Sequence, residues 1–259
     1  MEYIEFILLG ILQGITEFLP ISSSGHLLIG RKIFGINEYG LLIEIVLHLG
    51  TLLSIILFWH KDIKEEFKLF INGDKQFTYA IIIATIPASI VGVLFQEYIK
   101  EFFFNIESMK YLSFNYLLLS IIIFSSKFIN EKNKSTVIYK YALLIGIAQS
   151  IAILPGFSRS GLTIVMAMYL GLSFKSATKF SFLLAIPILI FASFDSIYEY
   201  FLIINSFDNF NIPLLLGFIT SFITGYFILG ILKGIIENRK FWYFSIYCFL
   251  ISLSLFYGI

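Results

Sequence analysis

A carboxylate, a serine hydroxyl, an imidazole and a guanidinium sit in two polar motifs, broken by glycine and proline, within an otherwise oily chain. The first motif, QGITEFLPISSSGH, runs from Gln13 to His26, and the second, QSIAILPGFSRSGLT, runs from Gln149 to Thr163. Glu17, Ser23 and His26 belong to the first and Arg159 to the second. Ionisable groups in apolar sequence each cost about 2.5–3.5 kcal/mol at a helix centre on insertion scales, and they survive mostly by pairing or by acting on a ligand.

The residue types suit an anion and a cation together. Ser22, Ser23 and Ser24 precede Gly25 and a resumed apolar helix, and serine there is a natural N-cap. Free N–H groups at that helix start, with the hydroxyls, form a seat for an anion. The second break repeats the frame with Ser158 and Ser160 before Gly161, but carries Arg159 where the first has Ser23. A guanidinium fork matches phosphate oxygens two at a time. Gln13 and Glu17, four apart, share one helical face. A carboxylate beside an amide oxygen is able to ligate Mg²⁺ or Ca²⁺, particularly with substrate phosphate completing the shell. His26, three residues after Ser23, is a candidate general base or acid. Acid, imidazole, hydroxyl and guanidinium together make the set that phosphoryl transfer needs.

Each residue alone has a plainer reading. A Ser-Ser-Ser-Gly run is commonly a capped loop, a lone His at a helix start a satisfied structural group, and Arg159 a tie to backbone carbonyls or to Glu17. Those readings weaken together, because structural need does not explain complementary chemistry in two equivalent breaks. Glu44 and His48, four apart on one apolar stretch, read as a structural pair or a support behind the site. Pro87 and Pro187 are expected to kink or end helices.

Positioning these residues falls to membrane helices. Mean hydropathy of +0.90, 58% hydrophobic residues and 14% charged residues exclude a soluble globular domain and a disordered chain. The class is therefore an all-α integral membrane protein, a single membrane domain over residues 1–259. Six apolar stretches read as full spans: Leu41–Trp59, Tyr79–Tyr98, Leu112–Ile129, Phe180–Leu202, Leu214–Ile236 and Phe241–Tyr257. The amino terminus has no Lys or Arg before Arg31, lacks the flank of a cleaved signal, and is expected to persist. Cys248 stands alone, which excludes an intramolecular disulfide. A net charge of +1, without a basic run, gives no expectation of nucleic acid.

The chain looks duplicated. An offset of 136 residues superposes Gly10 on Gly146, Gln13 on Gln149, Ser22 on Ser158, Ser24 on Ser160 and Gly25 on Gly161, while Pro20 and Pro155 miss by one. Three spans follow each motif, and Ala84-Thr85-Ile86-Pro87 is echoed by Leu184-Ala185-Ile186-Pro187. If each motif enters and leaves on one face, Lys and Arg in the loops divide 13 against 4; if each crosses once, 9 against 8. The positive-inside rule favours the first arrangement. Tyr141–Leu154 has 14 residues. As a helix it would be about 21 Å long, short of a core of about 30 Å. A re-entrant helix–loop–helix unit therefore opens each half. Three spans per half then invert the second copy, giving repeats over about residues 1–130 and 137–259. Both termini are expected outside the cytoplasm.

The motifs resemble those of the undecaprenyl-diphosphate phosphatases, also called bacitracin-resistance proteins. Gln13 and Glu17 fit that family's first signature, an acidic or amide residue followed four positions later by Glu. Pro155, Gly156, Ser158, Arg159, Ser160 and Thr163 fit its second, PGxSRSxxT, and the hydrophobic layout agrees along the chain. The resemblance implies a multi-pass enzyme of the bacterial inner membrane, active on the periplasmic side. It would hydrolyse undecaprenyl diphosphate to undecaprenyl phosphate and phosphate, recycle the carrier for peptidoglycan synthesis and confer bacitracin resistance. It implies Glu17, Ser23, His26 and Arg159 as the functional core, with a divalent cation, Mg²⁺ or Ca²⁺, at Glu17 and Gln13. Ser22, Ser24, Gly25, Ser158, Ser160, Gly161 and Thr163 would surround the phosphates. Gln13 departs from members with a second carboxylate there. Partners are the lipid substrate and membrane lipids, with a homodimer left open. A lipid or small-anion transporter, or flippase, is the alternative in a different class, and an intramembrane serine protease a third.

Overall fold

A chain this apolar must satisfy its backbone polar groups internally, and helices do so within a single segment. The computed structural model describes residues 2–36, 40–95, 97–98, 108–129, 139–204, 212–237 and 240–258. The first half contains α1 (Glu2–Thr16), α2 (Ser23–Phe34), α3 (Gly40–Phe58), α4 (His60–Ile71), α5 (Gln76–Leu94) and α6 (Ser108–Ser125). The second contains α7 (Tyr139–Ile151), α8 (Arg159–Tyr169), α9 (Phe174–Ile204), α10 (Ile212–Glu237) and α11 (Phe244–Phe256). Short 3₁₀ turns follow α6 at Ser126–Phe128 and precede α11 at Phe241–Tyr243.

Among the described residues, four segments are long and apolar enough to cross a membrane: Gln76–Leu94, Met109–Phe128, Phe174–Ser193 and Ile212–Ile235. Leu42–Phe58 and His60–Ile71, bent by 69° where they join, count as a fifth only if the pair is one span. Tyr3–Thr16, Tyr141–Ile151 and Phe241–Phe256 are shorter apolar helices, so length and composition supply four to five spans against the six expected. The stretch expected to span from Phe241 to Tyr257 opens with its 3₁₀ turn and leaves an α-helix of 13 residues.

Helix α1 packs along α10, and α7 along α5, while α3 lies between α10 and α9 and α6 pairs with α11. The glycines that coincide at the offset of 136 residues mark the first two crossings. A Cβ on Gly10 would lie 2.5 Å from the Gly217 carbonyl oxygen of α10, and one on Gly146 would lie 2.6 Å from that of Ala84 on α5. The proline echo is different: Pro87 lies inside α5, the second long helix after its motif, and Pro187 inside α9, the first after its own. The two prolines are therefore not counterparts.

Candidate active site

Helix α1 ends at Thr16, but the Glu17 N–H still donates to Gln13 O at 2.9 Å, so Glu17 continues the last turn. Gln13 and Glu17 thus share a face, with Gln13 Nε2 donating to Glu17 Oε2 at 3.1 Å. The chain then turns through Pro20 and restarts at α2, capped by Ser22, whose Oγ accepts the Gly25 N–H at 3.2 Å. In the second break Ser158 caps α8, and its Oγ accepts the Gly161 N–H at 3.1 Å. The two caps are equivalent at the repeat offset. Their backbones differ: Ser158 is extended, whereas Ser22, at φ 67°, is the one non-glycine residue with positive φ among those described. Sparsely populated backbone of this kind persists only where the surroundings hold it.

The surroundings are the other break. Ser22 Oγ also accepts the Gly156 N–H at 3.1 Å, and Ser160 Oγ donates to Leu19 O at 3.3 Å. Each turn is backed by a helix from the opposite half. Asn115 of α6 donates to Pro155 O at 2.7 Å, and the buried Cys248 of α11 lies 3.6 Å from Pro20 O.

Where the tips meet, Arg159 Nη2 donates to Glu17 Oε1 at 2.5 Å and Ser23 Oγ donates to Glu17 Oε2 at 2.6 Å. With Gln13, three donors converge on one carboxyl whose side chain is 5% exposed. Arg159 Nη1 is buried without a hydrogen-bond partner. A cavity of about 250 Å³ opens here, and Glu17, Ser23, Ser24, Ser158 and Arg159 all line it.

The other residues singled out in the sequence lie behind that wall. Ser22, Gly25, Ser160 and Gly161 build the caps and the ties between turns, and Gln13 sits behind Glu17. Thr163 Oγ1 donates to Arg159 O at 2.7 Å and meets Ser181 Oγ of α9 at 2.7 Å, fixing the turn that carries Arg159. His26 is turned away from the cavity. Its Nδ1 faces Ser22 O at 2.8 Å and Tyr116 Oη at 2.9 Å, and its Nε2 meets Tyr247 Oη at 2.7 Å. A carbonyl only accepts, so Nδ1 carries the proton and Tyr247 donates to Nε2. The Tyr247 ring stacks on the imidazole at a centroid distance of 5.7 Å.

The imidazole that lines the cavity is His48 of α3. Its Nδ1 donates to Glu44 O at 2.6 Å, which leaves Nε2 3.5 Å from Glu17 Oε2. Glu44 also lines the cavity and pairs with Arg31 of α2 at 3.1 Å. Gln149, the repeat mate of Gln13, is a further lining residue; its Nε2 donates to Ala84 O at 3.3 Å. Its Oε1, like that of Gln13, is buried without a partner. The Glu44–His48 spacing and the Gln13–Gln149 repeat were the available signals for these residues. The apolar wall, which includes Ala88 of α5 and Ile188, Leu189 and Ala192 of α9, had none.

A family model described as bacitracin resistance protein BacA matches residues 6–254. The chain belongs to this family. It is 37% identical over 265 residues to undecaprenyl-diphosphatase 1 of Bacillus licheniformis, covering 97% of this chain and 96% of that protein. An undecaprenyl-diphosphatase of Christiangramia forsetii is 37% identical over 261 residues, covering 98% and 97% respectively. One of Thermosipho melanesiensis is 39% identical over 251 residues, covering 95% and 96%.

Proposed function

We propose that this chain is a membrane phosphatase that hydrolyses undecaprenyl diphosphate to undecaprenyl phosphate and inorganic phosphate. The carrying observation is that Glu17 receives the Ser23 hydroxyl on one oxygen and the Arg159 guanidinium on the other, at the wall of a cavity. In this reading Ser23 Oγ attacks the terminal phosphorus and gives its proton to Glu17 Oε2. The bridging P–O bond breaks with its electron pair on the departing lipid monophosphate; water then attacks the phosphorus, the Ser23 Oγ–P bond breaks, and Ser23 takes its proton back from Glu17 as phosphate leaves. Arg159 holds Glu17 through Nη2 and keeps the unpartnered Nη1 for a phosphate oxygen. The apolar residues of α9 offer the first prenyl units a wall. His26 acts by fixing the Ser22–Ser23 turn, through its bond to Ser22 O, and not by touching phosphate.

The donor set fits a hard cation. Gln149 Oε1, at the cavity wall, and Gln13 Oε1, behind Glu17, are buried acceptors without a donor, which a cation would satisfy. Among the described residues no three His, Cys, Asp or Glu gather as a metal site. One carboxylate, amide oxygens and substrate phosphate suit Mg²⁺ or Ca²⁺. Bound there, the cation would neutralise charge on the diphosphate. Glu17 and Gln13 would hold it, with Gln149 beside them.

The architecture we propose is a pair of inverted repeats, each opening with a re-entrant unit, in a bacterial inner membrane with termini and site on the periplasmic side. Support comes from the matched crossings at Gly10 and Gly146, from the exchange of backing helices between halves, and from the 13-to-4 division of loop Lys and Arg. The test is direct. Purified protein with a prenyl diphosphate and Mg²⁺ or Ca²⁺ should release phosphate, and chelation should abolish the release. Lipid movement across vesicles without phosphate release would favour a transporter instead.

A further inference from the structure

Helix α4 is the most one-sided of the described helices, and none of its residues is buried. At about 100° per residue, its sequence HKDIKEEFKLFI sorts into three arcs. Asp62 and Glu66 fall together, and both take Lys179 Nζ of α9 at 3.0 Å. Lys61, Lys64 and Lys68 form a second arc. Between them lie Ile63, Phe67 and Ile71, with Phe67 64% exposed and Ile71 66% exposed. Six of the twelve residues are charged, too many for a helix that crosses hydrocarbon. The helix leaves the end of α3 at 69°, so it departs from the axis of a candidate span immediately.

We propose that α4 is an interfacial membrane helix. Ile63, Phe67 and Ile71 enter the upper acyl region, and Lys61, Lys64 and Lys68 reach alongside to anionic headgroups. The occupant of the apolar arc is the bilayer itself, for two reasons. The arc continues from a segment already built for the membrane, and the basic arc beside it complements anionic lipid. Two of the three acidic residues, which such a surface would repel, are turned inward onto Lys179. Through that lysine the helix grips α9, whose Ile188, Leu189 and Ala192 line the cavity. The inference is independent of the phosphatase reading.

The test uses the full chain in phosphatidylethanolamine–phosphatidylglycerol vesicles. Cys248→Ala removes the native thiol, and single cysteines at positions 64, 67, 68 and 71 carry an environment-sensitive fluorophore. Labels at 67 and 71 should emit to the blue, be quenched by lipid carrying a shallow spin label, and lose most of their iodide quenching. Labels at 64 and 68 should remain open to iodide. Iodide access at 67 and 71 overturns the proposal. So does protection from both quenchers, which would mean that protein, a second copy included, covers this face. As a check without labels, Phe67→Glu with Ile71→Glu should raise amide hydrogen exchange across residues 60–71 in vesicles. Exchange equal to wild type there would also overturn it.

Discussion

The two breaks share a scaffold and differ in chemistry. Both first arms carry a glutamine in their last turn, both second arms are capped by serine onto a glycine N–H three residues on, and both first arms cross a partner helix at a glycine. At the same offset Ile153 stands opposite Glu17 and Arg159 opposite Ser23, and all four line one cavity. On the proposed duplication, two matching tips can meet. Divergence at a few positions then places acid and hydroxyl on one side and guanidinium on the other. A symmetric pair of either kind would be poorer: two guanidiniums lack a base, and two carboxylates repel an oxyanion.

The sharpest way to break this comparison is at its divergent positions. Ser23→Ala should lower phosphate release at least about 10³-fold if the first tip supplies the nucleophile. Substantial residual turnover in a single-turnover assay would move the attack to water. Next is Arg159→Lys, expected to cost about 10²-fold, because a point charge cannot hold Glu17 with one nitrogen and phosphate with another. Near wild-type release in detergent would mean that the fork is not used.

His26 separates function from support within the first break. It lies between Tyr116 of α6 and Tyr247 of α11, with both ring nitrogens engaged. His26→Ala should therefore lower activity and thermal stability together, by about 2–3 kcal/mol for the lost buried bonds. Ser23→Ala, which loses one bond at the cavity wall, should lower the melting temperature less than His26→Ala does. A His26→Ala protein that melts like wild type but is inactive would return His26 to the chemistry.

That contrast also marks what the sequence could convey. The meeting of the tips was legible because the offset between Ser22 and Ser158 and the short arm from Tyr141 are one-dimensional facts with a single geometric solution. The direction of His26 was not. Three residues from Ser23 on a first helical turn, it faces the cavity or the core depending on how α2 is rotated, and α6 and α11 set that rotation. His48 was visible as half of an i, i+4 pair, but tertiary packing alone turns that face of α3 toward Glu17. The Ile-Pro echo misled because a local resemblance at Pro87 and Pro187 carries no information about helix order. Hydropathy likewise could not separate the 13-residue α11 from a continuous span.

Gln13→Glu sharpens the comparison at a position where the two tips still match. It adds a second carboxylate beside Glu17 on one side only, and should lower the Mg²⁺ or Ca²⁺ concentration for half-maximal phosphate release about tenfold, equivalent to about 1.4 kcal/mol. Gln149→Glu, on the tip that carries Arg159, is the control. An unchanged metal requirement in Gln13→Glu would take the cation away from this face of α1.

The smallest effect probes the shared scaffold itself. Gly10→Ala and Gly146→Ala each force a methyl toward a carbonyl oxygen under 3 Å away, in α10 and α5 respectively. Each should cost about 1 kcal/mol of stability as the helices part, read as a lower melting temperature in detergent. If the crossings are true counterparts, the two losses agree within about 0.5 kcal/mol and the double substitution is additive, because the sites share no partner. A large loss at one glycine and none at the other would mean that the superposition at 136 residues is a likeness of sequence without a likeness of packing. The meeting of the tips would then rest on the Ser22–Gly156 and Ser160–Leu19 ties and the Arg159–Glu17 pair.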